Sequence, residues 1–239
     1  MEAAIINVGD ELLSGDIENT NATWLCERLT DRGVAVNRIV VVPDDLNVIS
    51  GHVGEYADAF DAVIVTGGLG DTPDDVTMGA VAEAFDTGLA VDDLAMADLR
   101  ETIEAIREDY PDFSVNEERE ASIPDGARPL INGDGLSPGC VMENVYVFPG
   151  IPREMKPMFE DVADEFAGAV RSRSFRTETA EADLVPVLEA FREEFESVTI
   201  GCYPNRGEGH NQLKITGEEE GRLDAAEAWV RENVEISEA

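Results

Sequence analysis

A run of four apolar residues, Ala62-Val63-Ile64-Val65, passes directly into Thr66-Gly67-Gly68-Leu69-Gly70-Asp71-Thr72-Pro73-Asp74-Asp75-Val76-Thr77. The run is short, β-branched and bounded by turn residues, which predicts a strand buried on both faces, the environment of a parallel sheet. Gly67, Gly68 and Gly70 let the chain turn sharply and leave N–H groups uncovered, as a phosphate-cradling loop requires. Asp74 and Asp75 then open a predicted helix with Val76, Ala80, Val81 and Ala84 on its apolar face. Strand, glycine turn and helix N-terminus together make an anion site. The acids oppose that use, because carboxylates repel a phosphate unless a cation or a shared proton intervenes. The same pattern also suits a plain βα turn in which Asp74 or Asp75 only caps the helix.

The 239 residues are enough for a sizeable core and fit a domain with a small appendage, divided here as 1–171 and 172–239. No apolar run is long enough to span a bilayer, and Met1-Glu2 leads straight into Ala3-Ala4-Ile5-Ile6 without a basic leader. A soluble cytoplasmic protein with no membrane partner is expected. Cys26, Cys140 and Cys202 are scattered and odd in number, which argues against a disulfide framework or a thiolate metal site.

Against 52 Asp plus Glu stand 17 Lys plus Arg, a formal charge of −35. The acids are spread through segments with clear apolar periodicity, so they do not form a disordered tail. Lys156 and Lys214 are the only lysines. This balance resembles a halophilic protein, because at roughly 1 M salt a Debye length of about 3 Å screens the self-repulsion. Nothing resembles a basic stripe with interleaved aromatics, so nucleic acid is excluded as a partner.

Along the chain, Ala3 to Val8 predicts a first strand, with Gly9-Asp10-Glu11-Leu12-Leu13-Ser14-Gly15 as the loop at its carboxyl end. Asn19 to Arg32 predicts a helix capped by Asn19 or Thr20 and stopped by Gly33. Val34 to Val42 is a second strand that ends at Pro43-Asp44-Asp45. In an open α/β sheet ligands bind at the carboxyl edge, so Asp10, Asp44 and the Gly67 turn are expected to converge, although Asp44 also suits a helix cap. Leu94 to Glu108 is an amphipathic helix, and Cys140 to Met142 with Val145 to Phe148 forms a hairpin turning at Glu143-Asn144. Pro149-Gly150 then leads into a helix from Arg153 to Ala169, where Arg153 and Lys156 are a rare basic pair. Beyond Arg171 the pattern reads strand 174–179, helix 184–195, strands 199–203 and 212–216, and helix 221–233, with an exposed loop over 204–209. Neither His52 nor His210 stands in a sequence pattern that implies a triad.

The Thr66 to Thr77 stretch resembles the signature loop of the molybdopterin-binding fold shared by MogA and MoaB-type proteins and by the N-terminal domain of competence/damage-inducible CinA proteins. Gly9-Asp10-Glu11-Leu12-Leu13, Asn19-Thr20-Asn21, Pro124-Asp125-Gly126-Ala127, Gly133 to Gly139 and Pro149-Gly150-Ile151-Pro152-Arg153-Glu154-Met155 resemble further CinA motifs in the same order. The fold implied is α/β, a mainly parallel sheet flanked by helices in three layers, with a small C-terminal α+β subdomain. CinA-type relatives resemble nucleotide pyrophosphatases acting on ADP-ribose or FAD, whereas MogA-type relatives adenylylate molybdopterin. The resemblance therefore implies a metal-dependent hydrolase. Asp44 and Asp75 would be its catalytic and metal-binding residues, with Mg²⁺, Mn²⁺ or Co²⁺ as cofactor. Gly9, Asp10, Glu11, Asn19, Thr66, Gly67, Gly68, Gly70, Thr72, Pro149, Gly150, Arg153 and Lys156 would bind a nucleotide or pterin phosphate. A homo-oligomer, dimer or trimer, is expected. The alternative is a pterin or nucleotide-binding module. Three departures stand out: Asp71 at a position where CinA proteins carry proline, Asp74 at the MogA-type arginine position, and Glu120 where glutamine is usual. Loss of that arginine removes a bidentate phosphate donor and weakens adenylyl transfer.

Overall fold

The computed structural model describes residues 1–205, 207 and 209–237. The chain forms two compact units, Met1–Ala167 and Gly168–Ala239. The first is built on a six-stranded sheet of β1 (Glu2–Val8), β2 (Ala35–Val42), β3 (Ala62–Gly67), β6 (Arg128–Leu130), β7 (Gly139–Met142) and β8 (Val145–Pro149), in the order β2-β1-β3-β8-β7-β6. The first four strands of that order run parallel, and β7 and β6 are antiparallel to their neighbours.

Alternation along the central strands sends side chains into two cores. Ala4, Ile6, Val8, Val63 and Val65 face one layer, where α3 (Leu46–Ala59) and α4 (Thr77–Ala84) supply Ile49, Val53, Met78 and Val81. Ala3, Ile5, Ala62 and Ile64 face the other, where α2 (Thr20–Asp31) and α7 (Pro152–Val162) supply Leu25, Leu29, Met155, Met158 and Phe159. Every residue of β3 is buried, as its continuous apolar run predicts. The sheet with a helix layer on each face is the three-layer α/β architecture expected from the motifs.

Beside this sheet, α5 (Asp93–Asp109) packs Ala95, Met96, Leu99 and Ile103 into a small separate core with Ala121. β4 (Leu89–Val91) and β5 (Ser122–Pro124) pair next to it, and α6 (Glu117–Glu120) is one turn capped by Asn116. The second unit runs β9 (Arg171–Thr177), α8 (Glu181–Glu194), β10 (Thr199–Asn205), β11 (His210–Gly217) and α9 (Glu220–Asn233). Its antiparallel sheet, ordered β10-β11-β9, buries Phe175, Ile200, Leu213 and Ile215 against Leu184, Phe191, Leu223 and Val230.

Several expectations need correction. Gly9 to Gly15 is not a loop, because Asp10–Ser14 forms a short helix, α1, closed by Gly15 at φ 79°. Its glycines are caps, the positions where glycine both interrupts a pattern and ends a helix. The helix after the glycine turn starts at Thr77, with Val76 at its cap and no side-chain capping bond, so Asp74 and Asp75 stay in the loop. The helix expected to reach Ala169 ends at Val162 and passes through a 3-10 turn, Ala163–Glu165, while Phe166 still reaches the core. β10 extends through Pro204 and Asn205, which were expected in the loop, and Arg206 and Glu208 of that loop lie outside the described residues. Cys140 is buried, Cys26 and Cys202 are partly buried, and all three are free thiols. Among the described residues no helix is long and apolar enough to cross a membrane.

Candidate functional site

Chain order reverses at β1, whose neighbours β2 and β3 lie on opposite sides of it. The crevice at the carboxyl ends of such strands is where an open α/β sheet takes ligands. Here it opens into a cavity of about 730 Å³ lined from the ends of β1 (Gly9, Glu11), β2 (Asp44), β3 (Thr66, Gly67, Gly68, Gly70) and β8 (Pro149, Gly150).

The floor is fixed by glycine contacts and a polar relay. Gly150 N–H donates to the Gly67 carbonyl at 2.8 Å. Asn7, buried in β1, donates to Thr66 Oγ1 at 2.6 Å and accepts from Asn19 Nδ2 at 3.0 Å. Asn19 Oδ1 then caps α2 by accepting from the Ala22 N–H at 3.1 Å. Asn21 donates to the Gly150 carbonyl at 2.7 Å. These bonds tie two strand ends, two glycine turns and a helix start into one surface.

Asp75 lies against the glycine turn so closely that a Cβ at Gly68 would overlap its Oδ1. Thr72 Oγ1 lies 2.5 Å from Asp75 Oδ2 and 2.7 Å from Asp74 Oδ1, and its single proton can serve one of them at a time. That hydroxyl holds Asp74 below the ordinary carboxylate range. Asp44 Oδ2 accepts from the Asp10 N–H at 2.9 Å, so Asp10 contributes its backbone while its side chain stays outside the cavity lining. Burial, followed by repulsion from Glu11, Asp10 and Asp74, pushes Asp44 up in spite of that bond.

The structure brings Gly9, Glu11, Asn19, Asp44, Thr66, Gly67, Gly68, Gly70, Thr72, Asp75, Pro149 and Gly150 together around one cavity. Arg153 and Lys156 are not among its lining residues. Arg153 is 75% exposed and lies 3.6 Å from Glu154 Oε1. Lys156 turns its ammonium over the Trp24 ring, 5.6 Å from the centroid. Both sit in the first turns of α7, where Arg153 stands beside the lining carboxylate of Glu154 without lining the cavity itself and Lys156 turns to Trp24.

Sequence reasoning missed the opposite wall. Phe113, Val115, Leu136 and Ser137 line it, brought in by α5, α6 and the loop before β7. Phe113 and Val115 carry no motif, and only tertiary packing reveals them. Leu136 and Ser137 lie within the 133–139 motif and were open to notice. Glu120, singled out as a substitution, is 4% exposed and accepts from the Asp71 N–H at 3.1 Å and from Ser137 Oγ at 2.6 Å. Burial pushes its carboxyl up, with Asp71 and Asp75 adding to the shift. Arg119 reaches the glycine loop from behind, donating to the Thr72 carbonyl at 3.1 Å.

Eight carboxylates, Glu11, Glu18, Asp44, Asp71, Asp74, Asp75, Glu120 and Glu154, line the cavity, and no Lys, Arg or His among the described residues does. All the side-chain donors for a cation are therefore hard oxygens, the set that suits Mg²⁺ or Mn²⁺. No cluster of three or more His, Cys, Asp or Glu among the described residues is arranged to hold a metal unaided.

An open, mainly parallel α/β sheet with a glycine turn and acids at its switch point defines a class of fold that takes ligands at the carboxyl edge of its strands. Residues 4–168 match the family described as "Probable molybdopterin binding domain", and the chain belongs to that family. Residues 169–238 match "FAD synthase, middle domain". A protein from Archaeoglobus fulgidus is 35% identical over 230 residues, 95% of both chains. A CinA-like protein from Frankia casuarinae is 44% identical over 168 residues, 66% of this chain and 38% of its own. The CinA protein of unknown function from Thermoplasma acidophilum is 32% identical, covers 70% of this chain and 99% of its own, and superposes with a TM-score of 0.61.

Proposed function

We propose that this chain is a metal-dependent nucleotide pyrophosphatase acting on ADP-ribose or FAD-like dinucleotides. The observation that carries the reading is a cavity with a phosphate-type glycine turn, eight lining carboxylates and, among the described residues, no lining base. Helix termini and backbone amides are worth about 0.3–1 kcal/mol per favourable charge contact at a surface, too little to offset several close carboxylates. A divalent ion resolves the conflict. Asp44 and Asp75, both lining the cavity with carboxylate oxygens of the kind Mg²⁺ takes, would hold it. Bound there, it would neutralise the diphosphate charge.

The chain's own residues would do the rest. The Gly67 to Gly70 amides hold one phosphate, and the Thr72 hydroxyl orients Asp75. Water adds to one phosphorus, the bond from that phosphorus to the bridging oxygen breaks, and the bridging oxygen leaves on the second phosphate. The proton released by the water passes to solvent, because Asp44 and Asp75 would be committed to the ion and to orienting the water. The family description of residues 169–238 supports a flavin-related nucleotide as ligand.

A binding module for a pterin or nucleotide, extending to molybdopterin adenylyl transfer, is the second reading. It is favoured by the family description of residues 4–168, while Asp74 at the arginine position counts against the transfer step. A homo-oligomeric state, dimer or trimer, belongs to the proposal as well. The test is AMP release from ADP-ribose in high salt, with calorimetric titration in Mg²⁺ and in EDTA. The hydrolase reading requires turnover and metal-strengthened affinity, both lost in the Asp44→Ala, Asp75→Ala double variant. Metal-strengthened binding without turnover supports the module, and equal affinity with and without metal sinks the metal role.

A further inference from the structure

The two sides of the cavity differ in what stands behind them. On the β1 and β2 side the apolar lining residues are Val8, the buried end of β1, with Leu12 and Ile17, and Ile17 is 58% exposed and belongs to none of the core clusters. On the other side Phe113, Val115 and Leu136 are half-buried and pack on the α5 core of Ala95, Met96, Leu99 and Ile103. β7 runs antiparallel to β8, so Leu136 and Ser137, just before β7, return to the edge where β8 ends.

This wall is also pinned. Phe113 N–H donates to the Tyr110 carbonyl at 2.9 Å, and Arg107 Nε donates to the Phe113 carbonyl at 3.0 Å. Asn116 N–H donates to Asp71 Oδ2 at 3.2 Å, joining the wall to the phosphate loop. A fixed apolar surface with an aromatic ring, next to a phosphate loop, suits the face of a planar heterocycle.

Glu120 supplies the edge. Each carboxylate oxygen accepts one hydrogen bond and retains a further lone pair. Among the described residues no base is paired with it, and an ionised carboxylate can only accept. Glutamine at the same position would offer both a donor and an acceptor, so glutamate narrows the choice to a ring edge that donates.

We propose that Phe113, Val115 and Leu136 form a ring subsite for an amino-bearing purine, with Glu120 accepting from the exocyclic amine. The inference rests on the nucleotide reading above and adds which end of the cleft takes the base and what chemistry the base must show. A 6-amino ring places a donor toward Glu120, whereas a 6-oxo ring places a carbonyl there and is disfavoured.

The experiment is calorimetric titration of the full chain with AMP, IMP and ribose 5-phosphate, at neutral pH in high KCl with Mg²⁺. Wild type should bind AMP about tenfold more tightly than ribose 5-phosphate, the scale of one base stacked on an aromatic. It should prefer AMP to IMP about fivefold, the scale of one hydrogen bond. Phe113→Ala should bring AMP to within about twofold of ribose 5-phosphate and leave the latter unchanged, since only stacking is lost. Phe113→Leu keeps the apolar volume and loses the π face, so it separates stacking from packing if the alanine variant folds poorly. Glu120→Gln should bring AMP and IMP together. Equal binding of AMP and ribose 5-phosphate by wild type overturns the ring subsite and leaves the phosphate reading intact, whereas no binding of any of the three overturns both.

Discussion

Both units of this chain are rich in acids, yet they use them oppositely. In the second unit Arg173 on β9 donates from Nη1 to Glu227 Oε2 at 2.6 Å, and from Nη2 to Glu220 Oε1 at 2.9 Å and Asp224 Oδ1 at 2.6 Å. Arg231 adds a bond to Glu227 at 2.9 Å, and Arg171 lies 3.1 Å from Glu220. Glu220, Asp224 and Glu227 follow i, i+4, i+7 spacing and share one face of α9. In the first unit the cavity acids other than Glu154, which has Arg153 and Asn132 beside it, have one another, hydroxyls and backbone amides as neighbours, and no base among the described residues lines the space. Paired acids hold a fold together, while acids left unpaired in a cleft cost stability and call for an incoming cation.

The contrast fixes opposite responses to pH. Hydrogen bonds from Arg231 and Arg173 hold Glu227 below its ordinary range. Its contribution is therefore present above the unfolded-state pKa and is lost as pH falls through the depressed value. Glu120 and Asp44 are pushed up by burial and neighbouring acids. Their ionised forms cost stability at neutral pH, and that cost disappears as pH falls through the raised values.

The largest effect that would sharpen the comparison is on turnover. Asp75→Asn should lower AMP release from ADP-ribose by about 100-fold or more, the scale of a lost acid-base or metal-binding group, with an unchanged melting curve. Wild-type turnover would place Asp75 with the structural acids. The second effect is global. Raising KCl from about 0.1 M to several molar shortens the Debye length from roughly 10 Å to under 3 Å. The melting midpoint should climb by about 2–4 °C for each kcal/mol of repulsion relieved, and a flat profile would refute the halophilic reading. The third is confined to the second unit. Arg173→Met keeps the apolar stem and removes the fork, and should lower the melting midpoint by a few degrees at neutral pH, with the deficit shrinking on acidification. An undiminished midpoint would mean that the network is ornamental. The smallest is Glu120→Gln, expected to stabilise by up to about 1 kcal/mol at neutral pH by removing a buried anion. In denaturant titrations the gain should vanish below about pH 4, under the ordinary glutamate range; a loss of stability instead would show that the carboxylate's two bonds outweigh its charge.

The central strand, its glycine turn and the convergence of Asp44 with Asp75 were readable in the chain because local patterns create them. A continuous apolar run specifies burial on two faces, and strand polarity puts successive carboxyl ends at one edge. The strands β4, β5 and β6 escaped notice because three residues carry no period. The Phe113 and Leu136 wall escaped because its parts, far apart in sequence, meet through the packing of α5. Arg153 and Lys156 were expected at the cleft from charge rarity and a helix start, but composition says nothing about the direction in which a helix points its side chains.

Gly68 has an evolutionary consequence. Gly51, Gly54 and Gly221 have open space where a Cβ would stand, so drift can replace them without a clash, whereas a methyl group at 68 overlaps the Asp75 carboxylate. Every single-base change from a glycine codon that encodes another amino acid brings in a side chain at least as large as alanine. If Asp75 carries turnover as proposed, one such change would displace the reactive acid while sparing both cores, so a gene copy released from selection would reach a folded descendant without turnover in one step.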